Sequence, residues 1–212
     1  MLDPGHNGAN GSHPSIINAL VDAGFGQTKP CNTTGTETND GYPEHAFTWA
    51  VANEVKGLLE AQGVTVVMTR NSDDGVGPCV NVRAAVGNDQ NADAVVSIHG
   101  DGAAAGDHGF YAMTSQRAPN GADMAARSLE LAGAVRDALV NAGLSTSNYV
   151  GSDGLWTRDD LGGLNLSLRP TTMIEMGNMR NADDADLMNS EEGHQQMAAA
   201  IAQGIVGFLE AG

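Results

Sequence analysis

Four side chains of the kind that carry out hydrolytic chemistry are spread along this 212-residue chain: His6, Glu44, His99 and Glu175. Three of them close runs of similar character, Leu2-Asp3-Pro4-Gly5-His6, Val95-Val96-Ser97-Ile98-His99 and Thr172-Met173-Ile174-Glu175. In each, a short apolar stretch ends in one ligand-type residue and passes at once into small or turn residues. A buried parallel strand presents a functional group at its C-terminal edge in this way. One such histidine serves as often in a satisfied structural role as in a ligand role; two at equivalent places point toward a shared metal site. Glu44 lies three positions before Phe47 and seven before Val51, so it shares the buried stripe of a helix. Alone it reads as a first-turn acid that complements the helix dipole, worth under about 1 kcal/mol. Beside His6 and His99 it completes a set of two histidines and a glutamate, which leaves the fourth position of a zinc ion open to water. His45 adjoins Glu44 but points roughly 100° away around the helix.

Glu175 sits in the otherwise apolar run Met173-Ile174-Glu175-Met176. A carboxylate there is costly to bury unless it is paired, coordinated or protonated. Two readings stay open: an ion pair with an arginine such as Arg70 or Arg83, or a general base for metal-activated water with its pKa raised by burial. Asp3 is expected to shape the turn that presents His6, and Arg70 to be structural. The chain has no phosphate-binding loop with its lysine, no G-x-S-x-G elbow and no dinucleotide fingerprint.

The elements that must position these residues follow from periodicity and punctuation. Residues 5–43 are rich in Gly, Asn, Thr, Ser and Pro, and a loop of that length is usually functional. Pro43 suits a first helical position, and Phe47, Val51, Val55 and Leu58 then follow helical spacing until Gly63. Residues 64–69 read as a buried strand, 81–90 as a shorter helix, 93–99 and 109–114 as strands, and 121–141 as a helix through Met124, Leu131, Val135 and Leu139. Short strands are expected near Leu155 and Leu164, a strand at 171–176, and a closing helix at 192–209 through Met197, Ile201, Ile205 and Phe208. Strands alternating with helices of this length define a single α/β domain with a mainly parallel sheet and helices on both faces.

Composition narrows the partners. With 26 acidic residues against 10 lysines and arginines, the formal net charge is −16, which argues against nucleic acid and anionic membrane surfaces. No apolar run reaches about 18 residues, so no membrane span is expected. Cys31 and Cys79, 48 positions apart in polar loops, form no C-x-x-C pair. A loop-to-loop disulfide in an exported protein is the expectation, with two free buried thiols the alternative. Met1 directly abuts a strand end, where a buried strand normally needs about 4–6 residues. An export signal and the beginning of that strand are therefore expected ahead of Met1 in the natural chain.

Taken in order, several of these residues resemble one family closely: Leu2-Asp3-Pro4-Gly5-His6, a glutamate at the head of the next helix, Thr69-Arg70, Arg83-Ala84, Asn88, Ser97-Ile98-His99, and Glu175-Met176-Gly177 with Asn181. Together they resemble the zinc-dependent N-acetylmuramoyl-L-alanine amidases of the third catalytic type, which are cell-wall hydrolases. The resemblance spans essentially the whole chain. It implies a catalytic domain built on a twisted, largely parallel six-stranded sheet flanked by helices. Many relatives also carry targeting repeats, but residues 1–212 leave no spare segment for a cell-wall-binding domain, so a single catalytic domain is expected. It also implies one Zn2+ per chain held by His6, Glu44 and His99, with Glu175 as the catalytic acid/base. The implied reaction cuts the amide between N-acetylmuramic acid and L-alanine in peptidoglycan or muropeptide fragments. A zinc peptidase acting within the stem peptide and a non-catalytic peptidoglycan-binding module are the alternatives. The expected protein is a monomer exported to the periplasm or cell wall. Two departures mark candidate substrate contacts: Asp101, in Gly100-Asp101-Gly102 where the family carries Ala-Asn-Ala, and Asn178, where a Phe is usual. The Cys31/Cys79 pair is not general to the family.

Overall fold

In the computed structural model, which describes residues 1–212, the elements follow in the order β1 (Leu2–Pro4), α1 (Pro14–Ile17), β2 (Leu20–Asp22), β3 (Thr28–Pro30), α2 (Glu44–Ala61), α3 (Val80–Asp89), β4 (Val95–Asp101), β5 (Tyr111–Ser115), α4 (Gly121–Asn141), β6 (Leu155–Arg158), α5 (Gly162–Asn165), β7 (Thr171–Asn178), α6 (Ala182–Asn189) and α7 (Glu191–Ala211). Five strands form one sheet in the order β1-β4-β7-β5-β6. β1, β4 and β7 run parallel, β5 runs antiparallel to β7, and β6 lies parallel to β5. The continuous burial of Val95, Val96, Ser97 and Ile98 fits a strand covered on both faces. Because Pro4 is in register with Ile98, and His99 with Glu175, the C-terminal ends of β1, β4 and β7 come together at one edge.

Helix α7 packs against both α2 and α4, and the three helices cover one face of the sheet. Their shared core includes Phe47, Val51, Val55 and Leu59 from α2, Leu131, Val135 and Leu139 from α4, and Met197, Ile201, Ile205 and Phe208 from α7. The close approach of α7 to α4 depends on Gly204, where a Cβ would stand 2.6 Å from the Cα of Val135. On the other face α3 packs against α5, whose Leu164 joins a smaller apolar group with Tyr111 and Met113 of β5. No helix is long and apolar enough to cross a membrane.

Several expectations about elements need correction. The sheet has five strands, not six, because residues 64–69 join it only through a bridge between Met68 and Leu2. There the Leu2 N–H donates to the Val67 carbonyl (2.8 Å) and the Thr69 N–H to the Leu2 carbonyl (3.1 Å). The next β1 residue facing that edge is Pro4, which has no N–H to continue the ladder. Leu58 is 40% exposed, and Leu59 takes its place in the core because the buried positions step by four along α2. Leu164 lies in a helical turn rather than a strand, while Leu155 does begin one. Within residues 5–43 the chain also forms a small antiparallel hairpin, β2–β3. A disulfide joins Cys31, just after that hairpin, to Cys79 at the head of α3.

Candidate metal centre and active site

Construction of the site begins at the end of β1. The Asp3 carboxylate is buried and accepts hydrogen bonds from Arg83 Nη1 (2.6 Å), Thr69 Oγ1 (2.6 Å) and Ser97 Oγ (2.7 Å). Burial alone would raise its pKa, but the Arg83 charge and these donors overcome it and hold the group down at about 2. Arg83 also donates to the carbonyls of Pro4 (2.7 Å) and His6 (2.7 Å). Arg70 donates to the carbonyls of Pro4 (3.1 Å), Gly5 (3.3 Å) and His45 (2.9 Å), and to Asp73 (2.8 Å). Two guanidinium groups thus grip the end of a three-residue strand. They stabilise an unfavourable backbone there, since His6 has φ +57°, a left-handed conformation uncommon for a residue with a Cβ.

Glu44 is the first residue of α2, one place later than the expected Pro43 start, and its side chain is buried. Its Oε1 lies 3.0 Å from His6 Nε2 and 2.9 Å from His99 Nδ1, and accepts from the Gly100 N–H at 3.2 Å. Its Oε2 accepts from the Thr36 N–H at 2.9 Å. Burial pushes this carboxyl up, yet the two adjacent imidazoles hold it below the usual carboxylate range. For His6, burial opposes protonation, and the Glu44 carboxylate more than offsets that, so its pKa is raised. Glycine makes the approach possible. A Cβ on Gly5 would fall against the His99 ring, and one on Gly35 would stand 2.6 Å from Glu44 Oε2.

The donor atoms of His6, Glu44 and His99 all lie within 4.8 Å of one another. Ligands about 2.0–2.1 Å from a tetrahedral zinc stand about 3.3 Å apart, close to the 3.0 and 2.9 Å separations from Glu44 Oε1. The outward nitrogen of His6, Nδ1, lies 3.1 Å from the Thr33 carbonyl. Donation to that carbonyl leaves Nε2 free to ligate, an arrangement found around metal-bound imidazoles. Two imidazole nitrogens and one carboxylate oxygen therefore fit zinc.

Glu175 stands on β7 between His99 of β4 and Tyr111 of β5. Its Oε2 is buried without a hydrogen-bond partner. Burial first, and then the negative charges of Glu44 and Asp101, raise its pKa well above the ordinary carboxyl value, with Arg158 opposing. The reading of Glu175 as an ion pair with Arg70 or Arg83 is corrected: both guanidinium groups are committed to the end of β1. Asp101 accepts from the hydroxyls of Tyr111 (2.8 Å) and Tyr149 (2.6 Å), and burial with the nearby carboxylates raises both phenol pKa values.

His6, Glu44, His99, Asp101 and Glu175 all line one open cleft of about 990 Å³. Asn178 does not. It is fully buried, with its amide nitrogen donating to the Ala104 (2.8 Å) and Asp107 (2.7 Å) carbonyls and its oxygen accepting from the Ala103 and Arg180 N–H groups. The expected substrate contact is corrected to a clasp that shapes the loop after β4. Sequence reasoning missed Tyr111 and Tyr149, whose only signal is the register of β5, and Thr33 and Thr36, which act through backbone atoms. It also missed Arg180 on the cleft wall.

The site thus sets a cluster of two histidines and a glutamate, a group that could hold a metal ion, beside the partly buried acid Glu175 at the edge of a largely parallel sheet. The chain belongs to the N-acetylmuramoyl-L-alanine amidase family Amidase_3, whose model matches residues 1–206. It is 44% identical to N-acetylmuramoyl-L-alanine amidase Rv3717 of Mycobacterium tuberculosis, over 99% of this chain and 85% of that protein. The crystal structure of the apo form of the N-acetylmuramyl-L-alanine amidase Ami1 from Mycobacterium abscessus is similar at TM-score 0.93 and 48% identity, covering 98% of this chain and 96% of that one. Ami1 from Mycobacterium smegmatis gives TM-score 0.94 at 43% identity, covering 100% of this chain and 96% of that one.

Proposed function

We propose that this chain is a zinc-dependent hydrolase of the amide between N-acetylmuramic acid and L-alanine, acting on peptidoglycan or muropeptide fragments and releasing stem peptide. The observation that carries the reading is the sealed, unpartnered Oε2 of Glu175 in the same cleft as the His6, Glu44 and His99 cluster. One zinc per chain would be held by those three residues. When bound, zinc supplies a Lewis acid that polarises the scissile carbonyl and lowers the pKa of water to about 7. Glu175, its pKa raised by burial and the neighbouring carboxylates, would take the proton of the attacking water and deliver it to the departing L-alanine amine. Asp101, held by the Tyr111 and Tyr149 hydroxyls behind it, forms the substrate wall beside that acid.

The proposed site needs no residue from a second subunit, so a monomer is the working unit of this reading, with residues 1–212 as its catalytic domain. The Cys31–Cys79 disulfide supports an exported protein acting in the periplasm or cell wall, since such bonds persist in oxidising compartments.

Muramyl dipeptide tests the reaction. An amidase releases a free L-alanine amine from it, a stem peptidase needs a longer peptide, and a binding module leaves it intact. Elemental analysis is expected to give one zinc per chain, and chelation to abolish turnover until zinc is restored. Glu175→Gln is expected to retain zinc while kcat falls about 10²- to 10⁴-fold. Turnover of that variant at the wild-type rate would sink the mechanism.

A further inference from the structure

We infer that Arg180 is a specificity residue of the cleft, binding a carboxylate on the peptide half of the substrate; this rests on the amidase reading above. In this acid-rich chain nearly every cation already has an acid partner. Among the lysines and arginines, only Arg169 and Arg180 have no carboxylate oxygen within 4.0 Å. Arg169 is occupied at the Ala92 carbonyl (2.6 Å) and lies away from the cleft, whereas Arg180 lines it. The other cations of the cleft wall are neutralised, Lys29 by Asp160 (3.2 Å) and Arg83 by Asp3 (2.6 Å). Arg180 is thus the unpaired positive charge on a wall that also carries Glu44, Asp101 and Glu175.

Its placement is held while its donors stay free. Arg180 lies two residues beyond β7, the strand that carries Glu175. The Arg180 N–H donates to Asn178 Oδ1 (3.0 Å), and the Arg180 carbonyl accepts from Asn39 Nδ2 (3.4 Å). Of its five N–H donors, only one on Nη1 is engaged, by the neutral Asn39 Oδ1 at 3.3 Å. Nε and Nη2 donate to nothing in the protein. A planar donor fork left open on a cleft wall matches a carboxylate geometrically and electrically. The substrate's chemistry then says which half is read. The lactyl carboxyl of N-acetylmuramic acid is consumed in the amide that is cut, so any free carboxylate near the scissile bond belongs to the peptide.

The test uses two probes, N-acetylmuramoyl-L-alanyl-D-glutamate and the same compound with both glutamate carboxyls converted to carboxamides. The quantity read is the ratio of their kcat/KM values. The wild-type chain is expected to favour the acid by about tenfold to a hundredfold, the scale of a charge-assisted fork, mainly through KM. Arg180→Gln is expected to bring the ratio to about one, and Arg180→Lys to restore part of it. A wild-type ratio near one, or a preference that survives in Arg180→Gln, overturns the inference. Equal loss on both probes also preserves the ratio, and would leave Arg180 as a support for the Asn39 loop only. A wild type that cleaves neither probe overturns the amidase reading itself, and the Arg180 inference with it.

Discussion

Replacing Asp3 by asparagine removes one buried charge while keeping the side chain's shape and its capacity to bond Thr69 and Ser97. The native carboxyl is held at about 2 against an ordinary 3.8. A group whose folded pKa is depressed contributes stability above its unfolded pKa and loses it as pH falls through the folded value. Across this gap the contribution is about 2 kcal/mol at neutral pH, and roughly half of that remains at pH 3. Asp3→Asn should therefore lower stability by about 2 kcal/mol at pH 7, or about 4–8 °C in melting temperature for a domain of this size. The gap between wild type and variant should close as pH falls from 3.8 toward 2. Urea titrations of both proteins at pH 7, 5, 4 and 3 measure this directly. A gap that does not change with pH would falsify the assignment of Asp3 as the buried anion of the Arg83 pair, even if the variant were destabilised.

Three further outcomes follow from the geometry. Replacing both Cys31 and Cys79 by serine opens a cross-link of sequence separation 48 and should cost about 4 kcal/mol by chain entropy; unchanged denaturant midpoints would contradict it. Gly5→Ala places a methyl group against the His99 ring, so metal affinity measured by competition with a chelator should fall sharply, while wild-type affinity would refute the close approach. Leu59→Ala should destabilise α2 by about 2–5 kcal/mol and Leu58→Ala by under about 0.5 kcal/mol. Equal effects at the two sites would contradict the stripe that packs α2 on the core.

The residues of the candidate centre were legible because each carries a local signature. His6 and His99 follow apolar runs, Glu44 shares a helical stripe, and Glu175 is an acid with no polar neighbours in sequence. What escaped depended on partners distant in the chain. Strand pairing at 64–69 is stopped by Pro4, a residue of another segment, so its own β-branched composition misled. The β2–β3 hairpin is mostly exposed, and its residues carry no buried alternation to announce it. Asn178 resembled a cleft residue because it stands where the family usually carries a Phe. Its role emerged only once residues 103–107 folded back over it. Arg180 has no distinguishing sequence context at all, and its open charge is visible only as the absence of an acid beside it.

The position of β7 has a consequence for how the molecule matures. It is the last strand of the chain and the middle strand of the sheet, so β4 and β5 stay unjoined until it inserts between them. His6, Glu44 and His99 all precede the midpoint of the chain, and β1 can pair with β4 before β7 exists. The His6, Glu44 and His99 cluster is therefore encoded ahead of Glu175, and insertion of β7 brings in that acid as it closes the sheet. Pulse-labelled hydrogen exchange reads this order: β4 amides bonded to β1 should be protected before those bonded to β7. On the proposed mechanism, a chain in which β7 has not yet inserted would carry the His6, Glu44 and His99 cluster without its acid, and would not cut the amide.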